Sequence, residues 1–229
     1  MEPALQAGTD GGRARGVARR VPRIERERQM LDVAEVLFAE RGFAVSMDEI
    51  ADGAGITKPM LYAYFDSKEG LYRSCVERVR GRLQEAIEGA ATADEDAATR
   101  LWRALLAFFT FVDEERAAWT VFHGEAAAEG GLFAEEVARC RRDNVSLVAR
   151  QLGAAGLRGE ARDGSGTAAD NEQTALMLVG ACETLASWWL DHPGEPKEAL
   201  ALRVMNVFWL GLGAVGEGTR WRPPAAVAA

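Results

Sequence analysis

Four side chains close together in the sequence have the chemistry to bind a polyanion: Lys58, Tyr62, Tyr64 and Lys68. Lysine ammonium groups and tyrosine hydroxyls suit phosphate oxygens when they lie on an exposed surface. The two tyrosines cannot both be buried, because Leu61 and Phe65 take the positions that face a core in a helix of this register. The segment therefore predicts a surface that contacts nucleic-acid phosphates.

Two short helices with a turn between them are predicted to position these side chains. Ser46-Met-Asp-Glu49 fits a capping box, in which the Ser46 hydroxyl accepts from the N3 amide and the Glu49 carboxylate accepts from the N-cap amide. The helix that follows stops at Gly55, and Thr57 is the expected N-cap of a second helix that runs only to about Phe65. Such a short helix is not stable by itself. The pair fits the helix-turn-helix pattern, whose second helix enters the major groove of DNA.

Helical patterns also dominate the rest of the sequence. An amphipathic helix begins near Ile24 and ends at Arg41-Gly42, with one apolar face formed by Met30, Leu31, Ala34, Leu37 and Phe38. A long helix capped by Asp66 or Ser67 spans about 68–90. Further helices are predicted near 97–113, 115–127, 132–153, 171–190 and 196–214, with a long loop at 154–170. No stretch alternates strictly between apolar and polar residues, so the predicted fold class is all-α.

Four segments between residues 24 and 75 carry a family resemblance: Phe38-Ala-Glu-Arg-Gly-Phe43, Ile50-Ala51, Ala54-Gly-Ile-Thr-Lys-Pro-Met-Leu-Tyr-Ala-Tyr-Phe65 and Ser67-Lys-Glu-Gly-Leu71. They resemble the tetracycline-repressor (TetR) family of transcriptional regulators. Residues 83–229 resemble the family only in their helical pattern. The resemblance implies an N-terminal three-helix helix-turn-helix DNA-binding domain, joined by a long helix to a C-terminal helical domain for ligand binding and dimerisation. The expected limits are an arm at 1–22, the DNA-binding domain at 23–67, the effector and dimerisation domain at 68–222, and a tail at 223–229.

The resemblance assigns DNA contacts to eight positions: Ser46, Thr57, Lys58, Pro59, Met60, Tyr62, Tyr64 and Lys68. Ser46, the two tyrosines and Lys68 match positions that contact the DNA backbone in the family, and residues 57–60 match positions that touch base edges. Pro59 and Met60 offer only apolar contacts, for instance to thymine methyl groups. Lys58 is therefore the expected polar contact to a base.

The net charge of −8 is unevenly distributed along the chain. Residues 11–82 hold 14 Lys/Arg and 11 Asp/Glu, whereas residues 83–229 hold 13 Lys/Arg and 22 Asp/Glu. Positive charge is thus concentrated at the end that carries the predicted helix-turn-helix, where it attracts phosphates. The predicted disordered arm and the start of the first helix hold five arginines: Arg13, Arg15, Arg19, Arg20 and Arg23. Such an arm can enter the minor groove beside the site, or it can equally be an unstructured tail.

Two C-terminal helices are apolar on more than one face. The first includes Leu176, Met177, Leu178, Trp188 and Trp189, and the second includes Leu200, Leu202, Val204, Val207 and Leu210. A helix that is apolar all round is buried from several sides, and a four-helix bundle across a dimer twofold supplies that burial. The resemblance implies such a homodimer, formed through the helices near 171–190 and 196–214. Two heads about 34–36 Å apart would then read a pseudo-palindromic operator.

A pocket for a small, largely apolar effector is predicted in the C-terminal half, with six residues in its wall: Phe109, Trp119, Phe122, His123, Asn144 and Glu183. Aromatic side chains at helical spacing are by themselves typical of a core, and only the resemblance, in which this half holds an inducer pocket, favours a ligand site. The predicted function is a ligand-responsive homodimeric repressor that its effector releases from the operator. Activation is also compatible with these residues.

The sequence predicts no catalytic residues, no metal site and no cofactor. Its three cysteines are too far apart for a metal or redox motif, and the GxGxxG pattern at 211–216 follows a helix rather than a strand. An enzyme would need His123 or Cys140 in a reactive cluster, and a scaffold that binds a protein partner is the stronger rival. No apolar run is long enough for a membrane span and no secretory signal precedes the first helix, so we expect a cytoplasmic protein without a membrane partner.

Overall fold

The computed structural model describes residues 22–90, 92, 94–123, 132–154 and 168–216. Within these residues the chain forms α1 (Arg23–Arg41), α2 (Met47–Gly53), α3 (Lys58–Phe65), α4 (Lys68–Ala90), α5 (Ala97–Glu114), α6 (Arg116–His123), α7 (Leu132–Ala154), α8 (Ala168–Asp191) and α9 (Lys197–Gly216), with a short 3-10 helix at Gly42–Ala44. No strand occurs in this part of the chain, and the predicted all-α fold class is confirmed. The predicted tail, residues 1–21 of the arm and residues 155–167 of the loop lie outside the described residues.

Helix α1 forms where the apolar spacing predicted it. Its inner face buries Met30, Leu31, Ala34 and Phe38, and the chain leaves the helix at Gly42. The φ angle of Gly42 is +57°, a left-handed conformation that a residue without a Cβ adopts at little cost. The helix therefore ends at Arg41, and the 3-10 helix turns the chain towards α2.

One residue on the buried face of α1 is an acid. Glu35 is 7% exposed, and its carboxylate accepts from both terminal nitrogens of Arg82 on α4, at 3.2 and 2.8 Å. The Nε atom of Arg78 lies 3.5 Å from the same carboxylate. Arg82 also donates to Glu115, which lies between α5 and α6, at 3.1 Å. Helices α1, α2 and α3, hereafter the head (residues 23–65), are thereby joined to the rest of the molecule by charge as well as by apolar packing.

Helix α4 contacts helices of both the head and the C-terminal half. It buries Leu71, Tyr72, Cys75, Val76, Val79 and Leu83, and it packs against α1, α3, α5, α6 and α7. The Tyr72 hydroxyl donates to the Val121 carbonyl on α6 at 2.6 Å, and burial raises the pKa of Tyr72 to about 12. Because α6 also packs against α1, the head contacts the C-terminal half through two helices.

The C-terminal half is a helical bundle in which α8 packs against α7 and α9, while α9 also packs against α5. Helices α8 and α9 bury one side each but leave large apolar side chains exposed: Leu176, Met177, Trp188, Leu202, Val207 and Leu210. The segment 211–216 is helical, so the GxGxxG pattern lies in the last turns of α9 and not between a strand and a helix. Among the described residues, no helix is sufficiently long and apolar to cross a membrane.

Substitution of Glu35 tests the charged connection between the head and α4. We expect Glu35→Gln to lower the free energy of unfolding by about 2–3 kcal/mol, less than for a fully buried ion pair, because the side chains of Arg78 and Arg82 keep 26% exposure. The matched control is Glu40→Gln on the exposed side of α1, which we expect to change stability by less than about 0.5 kcal/mol. Urea unfolding at one fixed protein concentration measures the free energy of unfolding of both variants. Equal values for Glu35→Gln and Glu40→Gln would contradict the assignment.

Candidate functional site

The start of α2 is fixed by a capping box. The Glu49 amide donates to Ser46 Oγ at 3.2 Å, and the Ser46 amide donates to Glu49 Oε2 at 2.8 Å. Arg41 also pairs with the Glu49 carboxylate. The hydrogen bond from the Ser46 backbone, followed by those from the Arg41 and Ser46 side chains, lowers the pKa of Glu49 to about 2. The predicted capping box is confirmed, and it holds Ser46 at the exposed end of the α2 dipole.

The turn between α2 and α3 contains Gly55, whose φ of +64° is left-handed. Met47, Ile50 and Ala51 anchor α2 in the core before the turn, and the helix ends at Gly53, two residues before the predicted stop. Thr57 occupies the N-cap position of α3, but its hydroxyl makes no capping hydrogen bond. Thr57 is thus the N-cap residue that the sequence predicted, and its carbonyl accepts from the Met60 and Leu61 amides at 2.9 and 3.2 Å.

Helix α3 presents an outer face to solvent. Leu61 and Phe65 are buried, as predicted, while the outer face is formed by the exposed side chains of Thr57, Lys58, Pro59, Met60 and Tyr62. Tyr64 is half-buried, and the guanidinium of Arg23 lies 5.2 Å above the centre of its ring. Lys58 Nζ donates to Asp48 Oδ2 at 2.8 Å, which raises the pKa of the lysine. An ammonium has three donors, so this ion pair orients Lys58 while leaving it donors for a base edge.

Lys68 has a role within the protein that the sequence did not indicate. Its Nζ donates to the Phe43 carbonyl and lies 3.9 Å from the centre of the Phe43 ring. Partial burial lowers the pKa of Lys68. Ser67 caps α4 by accepting from the Gly70 amide at 2.9 Å. Of the two predicted caps, Asp66 and Ser67, the structure therefore has Ser67. Lys68 thus ties the start of α4 to the turn after α1, beside the exposed face of α3.

A second site is a mostly apolar cavity of about 120 Å³ in the C-terminal half. Its wall combines residues of α4, α5, α6, α7 and α8, and four of the six predicted pocket residues are among them: Trp119, His123, Asn144 and Glu183. Phe109 does not line the cavity; it is a fully buried core residue that packs edge-on against Phe108 and Trp189. The side chain of Phe122 lies outside the described part of the chain.

One corner of this cavity holds a carboxylate that is paired with a cation. Glu183 is 8% exposed, and its carboxylate pairs with Arg141 Nη2 at 2.8 Å and lies 3.6 Å from His123 Nε2. The His123 ring stacks on Trp119 with a centroid separation of 3.8 Å. The remaining wall residues, which the sequence did not assign to the pocket, include Leu83, Ile87, Leu105, Leu178 and Cys182. The cavity therefore suits an apolar molecule with a small polar group.

Comparison with known proteins decides the family. The sequence profile described as "Bacterial regulatory proteins, tetR family" matches residues 30–75, and the profile "Tetracyclin repressor-like, C-terminal domain" matches residues 97–211. The transcriptional activator FasR of Mycolicibacterium smegmatis is 32% identical over 212 residues, which cover 90% of each chain. The chain belongs to the TetR family.

Two further similarities agree with this assignment. The transcriptional regulator EthR of Mycobacterium tuberculosis is 30% identical over 189 residues, covering 81% of this chain and 86% of EthR. A solved TetR-like regulator from Rhodococcus sp. RHA1 is 35% identical, with a TM-score of 0.68 over 85% of this chain and 99% of that one. The TetR-family chain is thus a DNA-binding transcriptional regulator rather than an enzyme, and regulators of this family function as dimers.

Two substitutions test the expected contacts to the DNA backbone. We expect Lys68→Ala to weaken binding to a random-sequence duplex and to reduce the magnitude of the salt slope by about 0.9 for each DNA-bound protomer, because each protomer releases one counterion fewer. Tyr62→Phe removes a neutral donor, so we expect weaker binding with an unchanged slope. Lys197→Ala, at the start of α9, is the matched control for loss of a lysine. Unaltered affinities in the Lys68 and Tyr62 variants, measured by fluorescence anisotropy, would contradict these contacts.

Proposed function

We propose that this TetR-family regulator is a homodimeric repressor that a small, largely apolar effector releases from a pseudo-palindromic operator in the cytoplasm. The observation that carries the proposal is the position of the cavity. Leu83 and Ile87 on α4 line it, and so do Trp119 and His123 on α6. Both helices pack against the head, so a molecule in the cavity touches two helices that support the DNA-binding helices.

The exposed face of α3 supports the DNA part of the proposal. Its base-edge candidates begin at Thr57 and end at Met60, in the first turn of the helix, which is the part that enters the groove first in helix-turn-helix proteins. Tyr62 is 39% exposed one turn further on, beside the half-buried Tyr64. The apolar and hydroxyl groups in the first turn of α3 suit base edges. The hydrogen-bond donors beside them suit phosphates.

The apolar side chains left exposed on α8 and α9 support the proposed dimer interface. A surface of large apolar residues on two neighbouring helices costs free energy in water and is typical of a protein–protein interface. On α8, Leu176 and Met177 are 53% and 60% exposed, and on α9, Val207 and Leu210 are 69% and 64% exposed. Pairing of α8 and α9 with their copies across a twofold axis buries these residues in a four-helix bundle.

The size of the cavity supports a small effector. Its volume of about 120 Å³ is close to that of an engineered apolar cavity of ~150 Å³ that stays dry and binds benzene. Asn144 on α7 and Gln84 on α4 offer polar groups at its wall, and a ligand hydroxyl or carbonyl can bond with such amides. Because the Glu183 carboxylate already pairs with Arg141, the cavity does not require a cationic ligand.

The connection from the cavity to the head passes through α6. Trp119 and His123 face the cavity, while the Val121 carbonyl of the same helix accepts from Tyr72 on α4. Glu115, just before α6, belongs to the ion pairs of Arg82 and Glu35. An effector that favours one position of α6 shifts the population of head orientations, and operator affinity changes to the extent that the two conformers differ in affinity for the effector.

Activation is the second candidate function, and the similarity to FasR, a transcriptional activator, favours it. The two differ in how transcription responds to the protein, because a repressor lowers the output of a promoter that contains its operator. A reporter driven by that promoter, with and without this chain, separates them. We expect lower output with the protein present and recovery when the effector is added. Higher output with the protein would assign activation.

Replacement of either of two α5 alanines by phenylalanine tests the cavity. Ala104 lines the cavity, whereas Ala107 on the same helix lines a separate, more open groove. In a thermal-shift screen of small apolar molecules, we expect a hit at ~100 times its Kd to raise the Tm of the wild type by about 5–10 °C. We expect Ala104→Phe to lose this shift because the new ring fills the cavity, and Ala107→Phe to keep it.

The same hits test the proposed response. A molecule that binds in the cavity is expected to weaken operator binding tenfold or more, which corresponds to a coupling of about 1.4 kcal/mol. Ala104→Phe should retain operator binding but not respond. Tight binding of a cavity ligand to the wild type, with no change in operator affinity, would refute the ligand-responsive mechanism.

A further inference from the structure

We propose that a polar cleft beside the apolar cavity binds a carboxylate, so that the effector is a compact apolar acid with its ring or branched group in the cavity and its carboxylate in the cleft. This inference rests on the proposed function, which places an effector in the cavity, and it adds the chemical class of that effector. The shared wall of the two spaces, the charge of the cleft and a buried donor of Arg80 carry it.

The cleft lies between α4 and α7 and has a volume of about 260 Å³. Its wall includes Arg80, Asp143, Ser146 and Arg150. Three further residues, Gln84 on α4 and Asn144 and Leu147 on α7, line both the cleft and the cavity. The two spaces are therefore neighbours, and one molecule can occupy both.

The two spaces differ in polarity. Leu83, Ile87, Leu105 and Leu178 form much of the cavity wall, whereas Leu147 is the apolar member of the cleft wall among the described residues. A site that joins an apolar space to a polar one suits a ligand with an apolar body and one polar end.

The cleft wall carries more positive than negative charge. It holds the guanidinium groups of Arg80 and Arg150 and the carboxylate of Asp143. Asp143 Oδ2 lies 3.8 Å from Arg80 Nη1 and 3.9 Å from Arg139 Nη1, so its charge is shared between two cations at distances longer than a hydrogen bond. No carboxylate in the described part of the chain pairs with Arg150. The field in the cleft therefore favours an anion.

Arg80 has a donor that the described residues do not satisfy. Its Nε is buried and makes no hydrogen bond to any of them, although the whole side chain keeps 30% exposure. A buried donor without an acceptor costs free energy. A carboxylate that binds the guanidinium edge in the bidentate manner accepts from Nε and from a terminal nitrogen together.

Charge and size favour a carboxylate on a small apolar group. Two arginines and one aspartate leave the cleft one positive charge, which one carboxylate balances, whereas a phosphate monoester brings about −1.5 to −2. In the cavity, the Glu183 carboxylate is already paired with Arg141, so it opposes an anion little. The cavity of about 120 Å³ suits a body about the size of benzene.

The spacing along α4 sets the length of the ligand. Arg80 lies four residues before Gln84, which is about one helical turn, or ~6 Å along the axis. A benzene ring joined to a carboxylate by two methylene groups has about this reach. Phenylpropanoate is therefore the probe that the geometry selects.

Calorimetric titration of the full chain with three probes near neutral pH tests the cleft. Phenylpropanoate is the acid, phenylpropanamide is a neutral analogue of nearly the same shape, and phenylpropylamine has the opposite charge. We expect the wild type to bind the acid about tenfold or more tighter than the amide, because a hydrogen bond between charged groups contributes more than one between neutral groups. The amine is expected to bind more weakly than the amide.

Two variants remove one cation each from the cleft wall. We expect Arg80→Gln to weaken binding of the acid about tenfold and Arg150→Gln, whose side chain is exposed, about threefold. Both should change binding of the amide by less than about twofold. Arg142→Gln, on the exposed side of α7 and outside both walls, is the matched control and should change neither affinity by more than about twofold. Because Arg150 is exposed, its replacement tests the cleft without endangering the fold.

Failure of this inference is distinct from failure of the proposed function. A wild-type preference for the acid below about threefold, tighter binding of the amine, or an acid preference that both cleft variants retain overturns the carboxylate site. In each of these cases a probe still binds, and its loss in Ala104→Phe, which fills the cavity, keeps the cavity as the effector site. Absence of binding by all three probes at millimolar concentration overturns the carboxylate site and, with no hit in the screen of neutral molecules, the proposed effector site as well.

Discussion

The ion pairs of Glu35 set the geometry of the molecule. A carboxylate that is 7% exposed loses most of its hydration on folding, and only charged donors at short range offset that loss. Arg82 and Arg78 on α4 provide them. The guanidinium fork fits a carboxylate in few orientations, so the pairs fix α1 against α4 more narrowly than apolar packing alone would. The orientation of α3, and with it the surface offered to DNA, follows from this fixed pair of helices.

The head and the cavity are connected through the same helices. Arg82 extends the ion pairs to Glu115 at the entry to α6, and Tyr72 bonds to Val121 further along that helix. Trp119 and His123 of α6 line the cavity, and α6 packs against α1 of the head, so one helix contacts both. A regulator needs a mobile connection and a stable fold together. Here the stable part is the core along α4, and the proposed mobile part is α6, a helix of eight residues.

Local rules in the sequence predicted the elements well. Ser46 and Glu49 formed the capping box because both hydrogen bonds are made within four residues, and Leu61 and Phe65 are buried because helical periodicity places them together. Contacts between distant segments were not predictable in this way. Glu35 and Arg82 are 47 positions apart, and no periodic pattern shows which helix a side chain will meet. Lys68 likewise satisfies a carbonyl 25 positions earlier in the chain, besides any contact with DNA.

The cavity illustrates the same limit. Trp119 and His123 line it and Phe109 does not, although all three lie at apolar positions of α5 or α6. The direction of each side chain depends on the packing of α4, α7 and α8 around these helices, which residue spacing does not encode. The charge distribution was readable from the sequence, but the pairing of the charges was not, because Lys58 meets Asp48 across the turn, ten positions away.

In the proposed dimer, two heads held on their α4 helices read DNA as a pair through the exposed face of α3. In-vitro selection from random duplexes by the full-length protein, followed by sequencing, tests this arrangement. We expect an enriched inverted repeat whose half-site centres are separated by about one helical turn, or a multiple of it. An absence of any enriched motif, with the protein folded and dimeric, would contradict it and favour a scaffold that binds a protein partner.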